Sequence, residues 1–173
     1  MVRAVLAAVA ALSLACAPLA MAQTKAGPSA GGQIDYSGFR NLTGEVEAYR
    51  QGRLVPLGQF QAMARAGNTL ILDARSASAY AEGHIAGAVN LPFTDFTDQS
   101  LRAAIGDANR RILIYCNNNF VNNARPVMLK RLELALNIQS FINLYGYGYR
   151  NVYELGEAVD FNDPAVRWVR GEG

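Results

Sequence analysis

Two continuous apolar runs constrain the fold of this chain more than any other feature. They stand in TLILDAR (residues 69–75) and RILIY (residues 111–115), and each has the length of a strand. A strand that is apolar on both faces is typical of a parallel sheet with both faces covered. Segments with helical spacing lie between the runs. The sequence therefore predicts an α/β fold in which helices cover both faces of a mainly parallel sheet of about five strands.

The other elements follow from periodicity and from residues that start or stop helices. The pattern predicts a short strand and then a helix over residues 53–67, with Leu57, Phe60 and Met63 on one face. A helix from 126 to 137 is expected because Pro126 lacks the N–H group that is unpaired at the first helical position anyway. Further helices are expected at residues 44–50, 76–82 and 98–105, and further strands at residues 88–92, 141–145 and 151–155.

The first 22 residues have the features of an export signal. Arg3 provides a basic start, residues 4–14 are apolar, and residues 20–22, AMA, form the small-x-small pattern that signal peptidases cleave. We therefore expect a signal peptide over residues 1–22 and a mature chain that begins at Gln23.

Two alternatives for this leader are a membrane anchor and a lipid anchor. Its apolar run is shorter than the roughly 20 residues that span a bilayer, and Pro18 interrupts it. A lipoprotein signal would place Leu three positions before Cys16, where this chain has Ser13. Both anchors are disfavoured. We expect a periplasmic or secreted protein with no stable membrane insertion after signal cleavage.

Removal of the leader leaves about 150 residues, which is enough for one domain with a core. The formal net charge falls from +2 to +1 because Arg3 is lost, so no binding surface for nucleic acid is indicated. Residues 23–52 begin with the Gly- and Pro-rich stretch QTKAGPSAGGQ, and we interpret them as a flexible lead-in and N-terminal extension. The folded domain is expected over residues 53–173.

Cys116 is the only cysteine of the expected mature chain, because Cys16 leaves with the leader. A lone thiol in an oxidising compartment is a liability unless it is buried or used. Cys116 ends a predicted strand, which in a parallel sheet is where chemistry occurs; a role as a small core residue is the alternative. For a reactive Cys116, the N–H groups of a following helix are expected to lower the thiol pKa below the free value of about 8.5.

Residues 73–92, DARSASAYAEGHIAGAVNLP, resemble the signature of the rhodanese family. Residues 148–155, GYRNVYEL, are similar to the family's second signature. The resemblance implies the rhodanese fold, in which a strand delivers the nucleophilic cysteine to a tight loop that opens a helix, and Cys116 holds that position. It also implies that His84, the only histidine, is a packing residue and not a catalytic base. The residues of the structural motif are Asp73, Arg75, Gly83, His84 and Gly87.

The loop after Cys116 departs from the family pattern. It is longer than the family loop, has five asparagines in seven residues and contains no glycine before Pro126. Asparagine tolerates left-handed backbone conformations, so these residues are expected to let the loop curl and to offer amide partners for a polar ligand. The expected substrate-binding residues are Asn117, Asn118, Asn119, Phe120, Val121, Asn122, Asn123 and Arg125.

Charge in this loop bears on the substrate. The backbone of residues 117–124 is the expected anion cradle, and Arg125 is the expected charge partner. Because the loop offers so few cations, we expect the protein to use thiosulfate, a small dianion, only weakly. Phosphatase chemistry is disfavoured because Asn122 stands where the rhodanese-fold phosphatases have arginine. An insertion over residues 137–147 is expected between the helix that follows the loop and the second signature.

Three functions remain open from the sequence. The first is a sulfurtransferase or sulfur carrier that holds sulfane sulfur as a persulfide on Cys116. The others are a non-catalytic binding module of the rhodanese fold and a redox-sensing thiol protein. No cofactor and no metal are expected. The expected partner is a small sulfur-containing donor or a thiol acceptor, with a partner protein as a further candidate.

Overall fold

The computed structural model describes residues 33–171, so the expected signal peptide and most of the expected lead-in lie outside the described residues. The helices are α1 (Tyr36–Arg50), α2 (Leu57–Arg65), α3 (Ala77–Glu82), α4 (Asp98–Ile105) and α5 (Leu136–Gly146). The strands are β1 (Leu54–Val55), β2 (Thr69–Asp73), β3 (His84–Ile85), β4 (Ala88–Asn90), β5 (Arg111–Tyr115), β6 (Val152–Leu155) and β7 (Trp168–Val169). Single 3-10 turns cover residues 51–53, 93–95, 117–119, 132–134 and 164–166.

Five parallel strands form the main sheet in the order β1-β6-β5-β2-β4. The central strands β2 and β5 pair over their whole length, from Thr69 opposite Arg111 to Asp73 opposite Tyr115. Each of them is buried from its second residue onward, as expected for strands with both faces covered. The predicted α/β fold with a five-stranded parallel sheet is confirmed.

Alternation along the strands divides the core into two layers. Leu70 and Leu72 of β2 pack on one face with residues of α1, α4 and α5, and Ile71 packs on the other face. The second face is covered by α2 and by the chain that follows β6, which contributes Phe161 and Val166. The sheet therefore has helices on both faces. The loops that follow the parallel strands β2 and β5 begin at the same edge of the sheet.

Helix α1 is longer than the sequence predicts. The expected helix at residues 44–50 begins at Tyr36 and ends at Arg50, and the 3-10 turn of residues 51–53 connects it to β1. Its buried residue is Val46, and Tyr49 donates a hydrogen bond to the carbonyl oxygen of Arg150 at 2.6 Å. The latter half of the segment interpreted as lead-in and extension is thus an ordered helix packed on α5.

The predicted helix over residues 126–137 is wrong. Residues 126–135 contain one 3-10 turn and no α-helix. Met128, Leu129 and Leu132 have helical spacing, but all three are exposed, so their spacing does not mark a buried face. The loop that begins at Cys116 therefore continues to residue 135.

The predicted strand over residues 141–145 is also wrong, because these residues belong to α5. Phe141, Ile142 and Leu144 form the buried side of this helix. A short apolar run has no clear period, so strand and helix are not distinguished by it. The extra length relative to the family pattern lies in the Cys116 loop, before α5, and not in an insertion over residues 137–147.

A second, two-stranded sheet was not predicted. Strand β7 pairs antiparallel with β3, which places Trp168 opposite Ile85. The indole of Trp168 lies so close to Gly83 that a Cβ there would be 2.5 Å from its Nε1 atom. Gly87 has φ of +82°, a conformation that favours glycine. Both glycines of the signature are therefore required by this turn.

Candidate active site around Cys116

Cys116 follows the last residue of β5, at the carboxyl edge of the parallel sheet. Its backbone is extended, and the 3-10 turn of residues 117–119 begins directly after it. The Cys116 N–H donates to Oδ1 of Asn119 at 2.9 Å, and the backbone N–H of Asn119 donates to the carbonyl oxygen of Cys116 at 3.0 Å. The side chain is 1% exposed, so the sulfur is buried beneath this turn.

Backbone N–H groups from two segments interact with the sulfur. One belongs to Asn118 in the turn, and two belong to Leu136 and Asn137 at the start of α5. Helix N-termini carry unpaired N–H groups and partial positive charge. The expected relation between the cysteine and a helix N-terminus is present, but the helix begins at Leu136, twenty residues after Cys116, and not at Pro126.

The pKa of the Cys116 thiol is raised above its ordinary value, so the expectation of a lowered pKa is wrong. Burial is the largest cause, because it removes water from the thiolate. The N–H groups of Asn137, Asn118 and Leu136 oppose this effect, and the carboxylate of Glu154 adds to it. The resting sulfur is therefore a protonated thiol at neutral pH.

The asparagine side chains hold the loop itself together. Asn117 donates to the carbonyl oxygen of Met128 at 2.7 Å. Asn118 both donates to the carbonyl oxygen of Lys130, at 2.8 Å, and accepts from its N–H, at 3.1 Å. These amides replace the backbone partners that a regular element would supply. The turn after the cysteine is thus fastened to the segment that follows Pro126.

Asn122 and Asn123, the last two of the five asparagines, form hydrogen bonds with other parts of the structure. Asn122 donates to Asp160 at 2.8 Å and accepts from the N–H of Phe161 at 3.0 Å. Asn123 adopts φ of +39°, and its side chain accepts from the N–H of Leu129. The left-handed backbone expected of an asparagine in place of glycine is found here, at one position of the five.

Phe120, Val121 and Arg125 lie away from the sulfur. Phe120 is 1% exposed and packs edge-on against Tyr115 and Trp168, so it anchors the loop in the core. Val121 is exposed. Arg125 is 78% exposed and pairs with Glu82 at the surface. Arg125 was expected to bind substrate. Its guanidinium is instead paired with the carboxylate of Glu82 at the end of α3.

The signature residues of β2 form a buried cluster next to the site. Arg75 bonds Asp73 through Nη2 at 2.6 Å and donates to the carbonyl oxygen of Gly83 at 2.8 Å. The hydroxyl of Tyr115 donates to Asp73 at 2.5 Å. Burial and the Asp73 carboxylate raise the pKa of Tyr115 well above its ordinary value, so the phenol stays neutral. The cluster ties the ends of β2 and β5 together.

His84 takes part in the turn of β3. Its Nδ1 lies 2.9 Å from the carbonyl oxygen of Tyr80, and its ring stacks on the Tyr80 ring at 3.8 Å between centroids. The Tyr80 hydroxyl in turn donates to the carbonyl oxygen of Ala88 at 2.7 Å. These contacts are those of a packing residue, as the resemblance implies.

A cleft of about 640 Å³ lies beside the loop. Asn117, Asn118 and Leu136 line it, and the backbone N–H groups of Asn118 and Leu136 also interact with the sulfur. Cys116 does not line the cleft, and it is 1% exposed. Lys130 lines the cleft as well. Sequence reasoning missed this lysine because it falls in the segment predicted to be helical.

A buried polar network lies on the other side of the loop, and the sequence analysis missed it. Glu154 of β6 is 5% exposed and accepts two hydrogen bonds from Arg50 of α1, at 2.5 and 2.7 Å. The side chain of Asn137 donates to Glu154 at 3.1 Å and to Asn119 at 2.9 Å. The signal was present, since a carboxylate within the strand NVYEL requires a buried partner.

Over residues 33–171, no helix is both long enough and apolar enough to cross a bilayer. In the same part of the chain, no three His, Cys, Asp or Glu side chains are grouped so that they could hold a metal ion.

Comparison with known proteins gives a family and a fold. The family profile described as Rhodanese-like domain matches residues 57–158. A solved rhodanese-like domain from Anabaena is similar at 23% identity and TM-score 0.45, over 60% of this chain and 67% of that one. No curated protein matches the sequence.

Two further solved structures are also similar. A rhodanese with anions from E. coli has 22% identity and TM-score 0.40, over 60% of this chain and 99% of that one. A thiosulfate sulfurtransferase from Pseudomonas aeruginosa has 21% identity and TM-score 0.47, over 78% of this chain and 23% of that one.

Proposed function

The chain belongs to the rhodanese-like domain family, and on this premise we propose that it carries or transfers sulfane sulfur as a persulfide on Cys116. The observation that supports the proposal is the environment of the sulfur. Cys116 ends the central strand β5, and N–H groups of Asn118, Leu136 and Asn137 converge on it. Converging N–H groups stabilise an anion, and a persulfide is a stronger acid than the thiol it replaces.

The proposed reaction consists of two displacements at sulfur. The sulfur of Cys116 attacks the outer sulfur of a donor R–S–S⁻, and the S–S bond of the donor breaks as the new S–S bond forms. The donor leaves as RS⁻, and the thiol proton passes to it or to solvent. An acceptor thiolate then attacks the outer sulfur and releases Cys116. Both steps follow thiol–disulfide exchange, and neither consumes an oxidant or a reductant.

The cleft beside the loop is the proposed entry of the donor. Its volume of about 640 Å³ suits an organic molecule. Lys130 is the cation that would meet an anionic group of the donor, in place of Arg125. Because Cys116 is 1% exposed, the donor reaches the sulfur only when the turn at Asn117 and Asn118 moves aside. We therefore propose an organic persulfide as donor, and only weak turnover of thiosulfate.

Trapping the persulfide tests this proposal. The full chain is incubated with an organic persulfide, digested, and examined by mass spectrometry. We expect one additional sulfur atom on the peptide that contains Cys116, and its transfer to an added thiol. Cys116→Ser is the control and should carry none. If no donor loads sulfur onto Cys116 of the folded chain, the proposal fails.

A non-catalytic binding module is the second candidate, and one observation favours it. Cys116 is a buried, protonated thiol, whereas the loop above it exposes Met128, Leu129, Leu132 and Leu134. Exposed apolar residues in one segment are typical of a surface that binds a partner. Such a module would bind its partner equally well with Cys116→Ser, whereas the sulfur carrier would lose its function with that change.

We also propose that the protein is exported and is periplasmic or secreted. The support is the sequence of residues 1–22, with its basic start, apolar run and AMA pattern. The intact mass of the exported protein shows where the mature chain begins. We expect a chain that starts at Gln23, and a species that keeps Cys16 with the mass of an attached lipid would contradict it.

A further inference from the structure

We propose that the ion pair of Arg50 and Glu154 belongs to the Cys116 site, with Glu154 as a positioning residue for the sulfur-binding backbone and Arg50 as the charge that compensates a negative sulfur. Arg50 belongs to α1, which precedes the matched family segment 57–158. The site would then include a segment that the family pattern does not contain. This inference deepens the proposed function, because it names what sets the charge of the sulfur.

A chain of contacts connects the ion pair to the cysteine. Arg50 holds Glu154 through Nε at 2.5 Å and Nη2 at 2.7 Å. Glu154 accepts from the Asn137 side chain at 3.1 Å, and that amide also donates to Oδ1 of Asn119 at 2.9 Å. The same Oδ1 atom accepts the N–H of Cys116 at 2.9 Å. The carboxylate therefore orients Asn137, whose backbone N–H is directed at the sulfur, and through it Asn119, which accepts the N–H of Cys116.

The burial of Glu154 requires an explanation beyond stability. In β5 its neighbour across the pairing is Ile114, and the two residues before Ile114, Ile112 and Leu113, are also apolar. Burying a carboxylate costs several kcal/mol, and a well-packed apolar side chain often stabilises a protein as well or better. A charged pair in this position adds little to the fold alone. The buried pair is explained if its two charges act on the sulfur of Cys116.

The signs of the two charges give them opposite effects on the sulfur. Glu154 and Arg50 both interact with the charge of Cys116: the carboxylate disfavours the thiolate, and the guanidinium favours it. The hydrogen bond to Glu154 raises the pKa of Arg50, and the thiolate charge adds to that effect. At the end of β2, the strand beside β5, Asp73 is neutralised by Arg75, which lies two residues beyond the strand.

Titration of Cys116 in charge-neutral variants tests the proposal. The thiolate is measured by its ultraviolet absorbance against pH in the full chain, and the same variant with Cys116→Ser is subtracted so that Cys16 and the tyrosines cancel. We expect Glu154→Gln to lower the apparent pKa of Cys116 by about one unit, a tenfold change in the thiolate-to-thiol ratio. Arg50→Gln should raise it, because the Glu154 carboxylate is then uncompensated.

Arg53→Gln is the matched control. Arg53 follows α1 closely and packs over the rings of Tyr49 and Tyr153, but it is not part of the contact chain to the cysteine. Its loss should leave the titration of Cys116 unchanged. If Arg50→Gln does not fold, Arg50→Lys keeps the charge and should titrate like the wild type, while Glu154→Gln still decides the question.

Opposite shifts for Glu154→Gln and Arg50→Gln support the proposal. An unchanged titration of Glu154→Gln overturns it, and so do shifts of the same sign in both variants, since a purely structural pair would disturb the site without regard to charge. This result is separate from the proposed function. Failure to load a persulfide on the wild type rejects sulfur transfer, but it leaves the titration and its outcome intact.

Discussion

The signature segment, residues 73–92, and the Cys116 loop, residues 116–135, differ in where their polar side chains find partners. In the signature, Asp73 bonds Arg75, and His84 contacts the carbonyl oxygen of Tyr80, so these partners lie within the segment. In the loop, Asn119 donates to the carbonyl oxygen of Leu155 and Asn122 to Asp160, both far outside it. A motif with local partners is recognisable from sequence, whereas a loop with distant partners is recognisable only once it has folded.

The same contrast extends to charge. The signature buries its ion pair, and the loop leaves its ion pair at the surface, where Arg125 meets Glu82. Buried ions depend on one another for solvation, whereas water solvates exposed ions. The two regions should therefore respond differently to substitution, and four changes measure the difference.

The largest effect is expected for Asp73→Ala. The substitution leaves the guanidinium of Arg75 and the hydroxyl of Tyr115 buried without their shared carboxylate. We expect the free energy of unfolding to fall by about 3–5 kcal/mol. Urea unfolding followed by circular dichroism measures this loss.

Arg125→Ala, in the loop, is the control for that experiment. It breaks the pair with Glu82 at a guanidinium that is exposed to solvent. The urea midpoint should not change measurably, because solvent screens this pair. Equal losses for Asp73→Ala and Arg125→Ala would contradict the distinction between the two regions.

A smaller loss of unfolding free energy is expected for Asn119→Ala, which replaces the one buried asparagine of the loop. Its amide accepts from the N–H of Cys116 and donates to the carbonyl oxygen of Leu155 at 2.7 Å. Without it a buried donor and a buried acceptor lose their partners, at a cost of about 1–3 kcal/mol in unfolding free energy. Asn122→Ala, whose partner Asp160 is exposed, is the matched control. A larger loss for Asn122→Ala than for Asn119→Ala would show that the wrong asparagine was singled out.

Asn118→Ala should loosen the loop with little effect on the rest of the protein. The substitution removes both hydrogen bonds between this side chain and the backbone of Lys130. We expect exchange of the Lys130 amide hydrogen to become about tenfold faster, because local opening no longer breaks these bonds. The amide of Leu113, in the centre of the sheet, serves as the internal reference. Equal acceleration at Leu113 would indicate global unfolding and contradict a local role.

The smallest effect is a pH dependence that arises from Cys116. Burial raises the pKa of its thiol in the folded protein above the unfolded value of about 8.5. The folded state thus retains the proton to higher pH, so this contribution to stability is complete below the unfolded pKa and is lost as pH rises through the folded pKa. Relative to Cys116→Ser, the wild type should lose up to about 1.4 kcal/mol per pH unit in that window.

Urea unfolding at neutral pH and at about pH 10 measures this difference. Tyr115, whose pKa is also raised, titrates in both proteins and cancels in the comparison. If the wild type gains stability over Cys116→Ser as the pH rises, the folded thiol has a lowered pKa, and the burial argument is wrong.

Most of the fold was predictable from the sequence because its central strands are apolar on both faces and because α3 and α4 carry side-chain caps. Thr97 caps α4 together with Ser100, and Gly106 ends that helix with φ of +79°. These signals lie within a few residues of the elements they define. The start of α5 has no such signal, since Ala135 at its N-cap makes no side-chain hydrogen bond.

The candidate site was predictable in part. The position of Cys116 follows from the end of a buried strand, but the start of the helix that supplies two of its N–H groups, at Leu136, does not follow from the sequence pattern. The carboxylate of Glu154 and the guanidinium of Arg50 were not predictable as members of the site, because they are 104 residues apart. The exposure of Met128, Leu129 and Leu132 was also not visible from their spacing, which is that of a buried helical face.

The position of β1 has a practical consequence for work on fragments. The matched family segment begins at residue 57, so a protein trimmed to it lacks β1, which covers the edge of β6. Val152 and Leu155 of β6 are buried, and an unpaired strand of this kind is a template for pairing with a second chain. Insolubility of such a fragment would then report a missing edge strand, and it would carry no information about the chemistry of the sulfur.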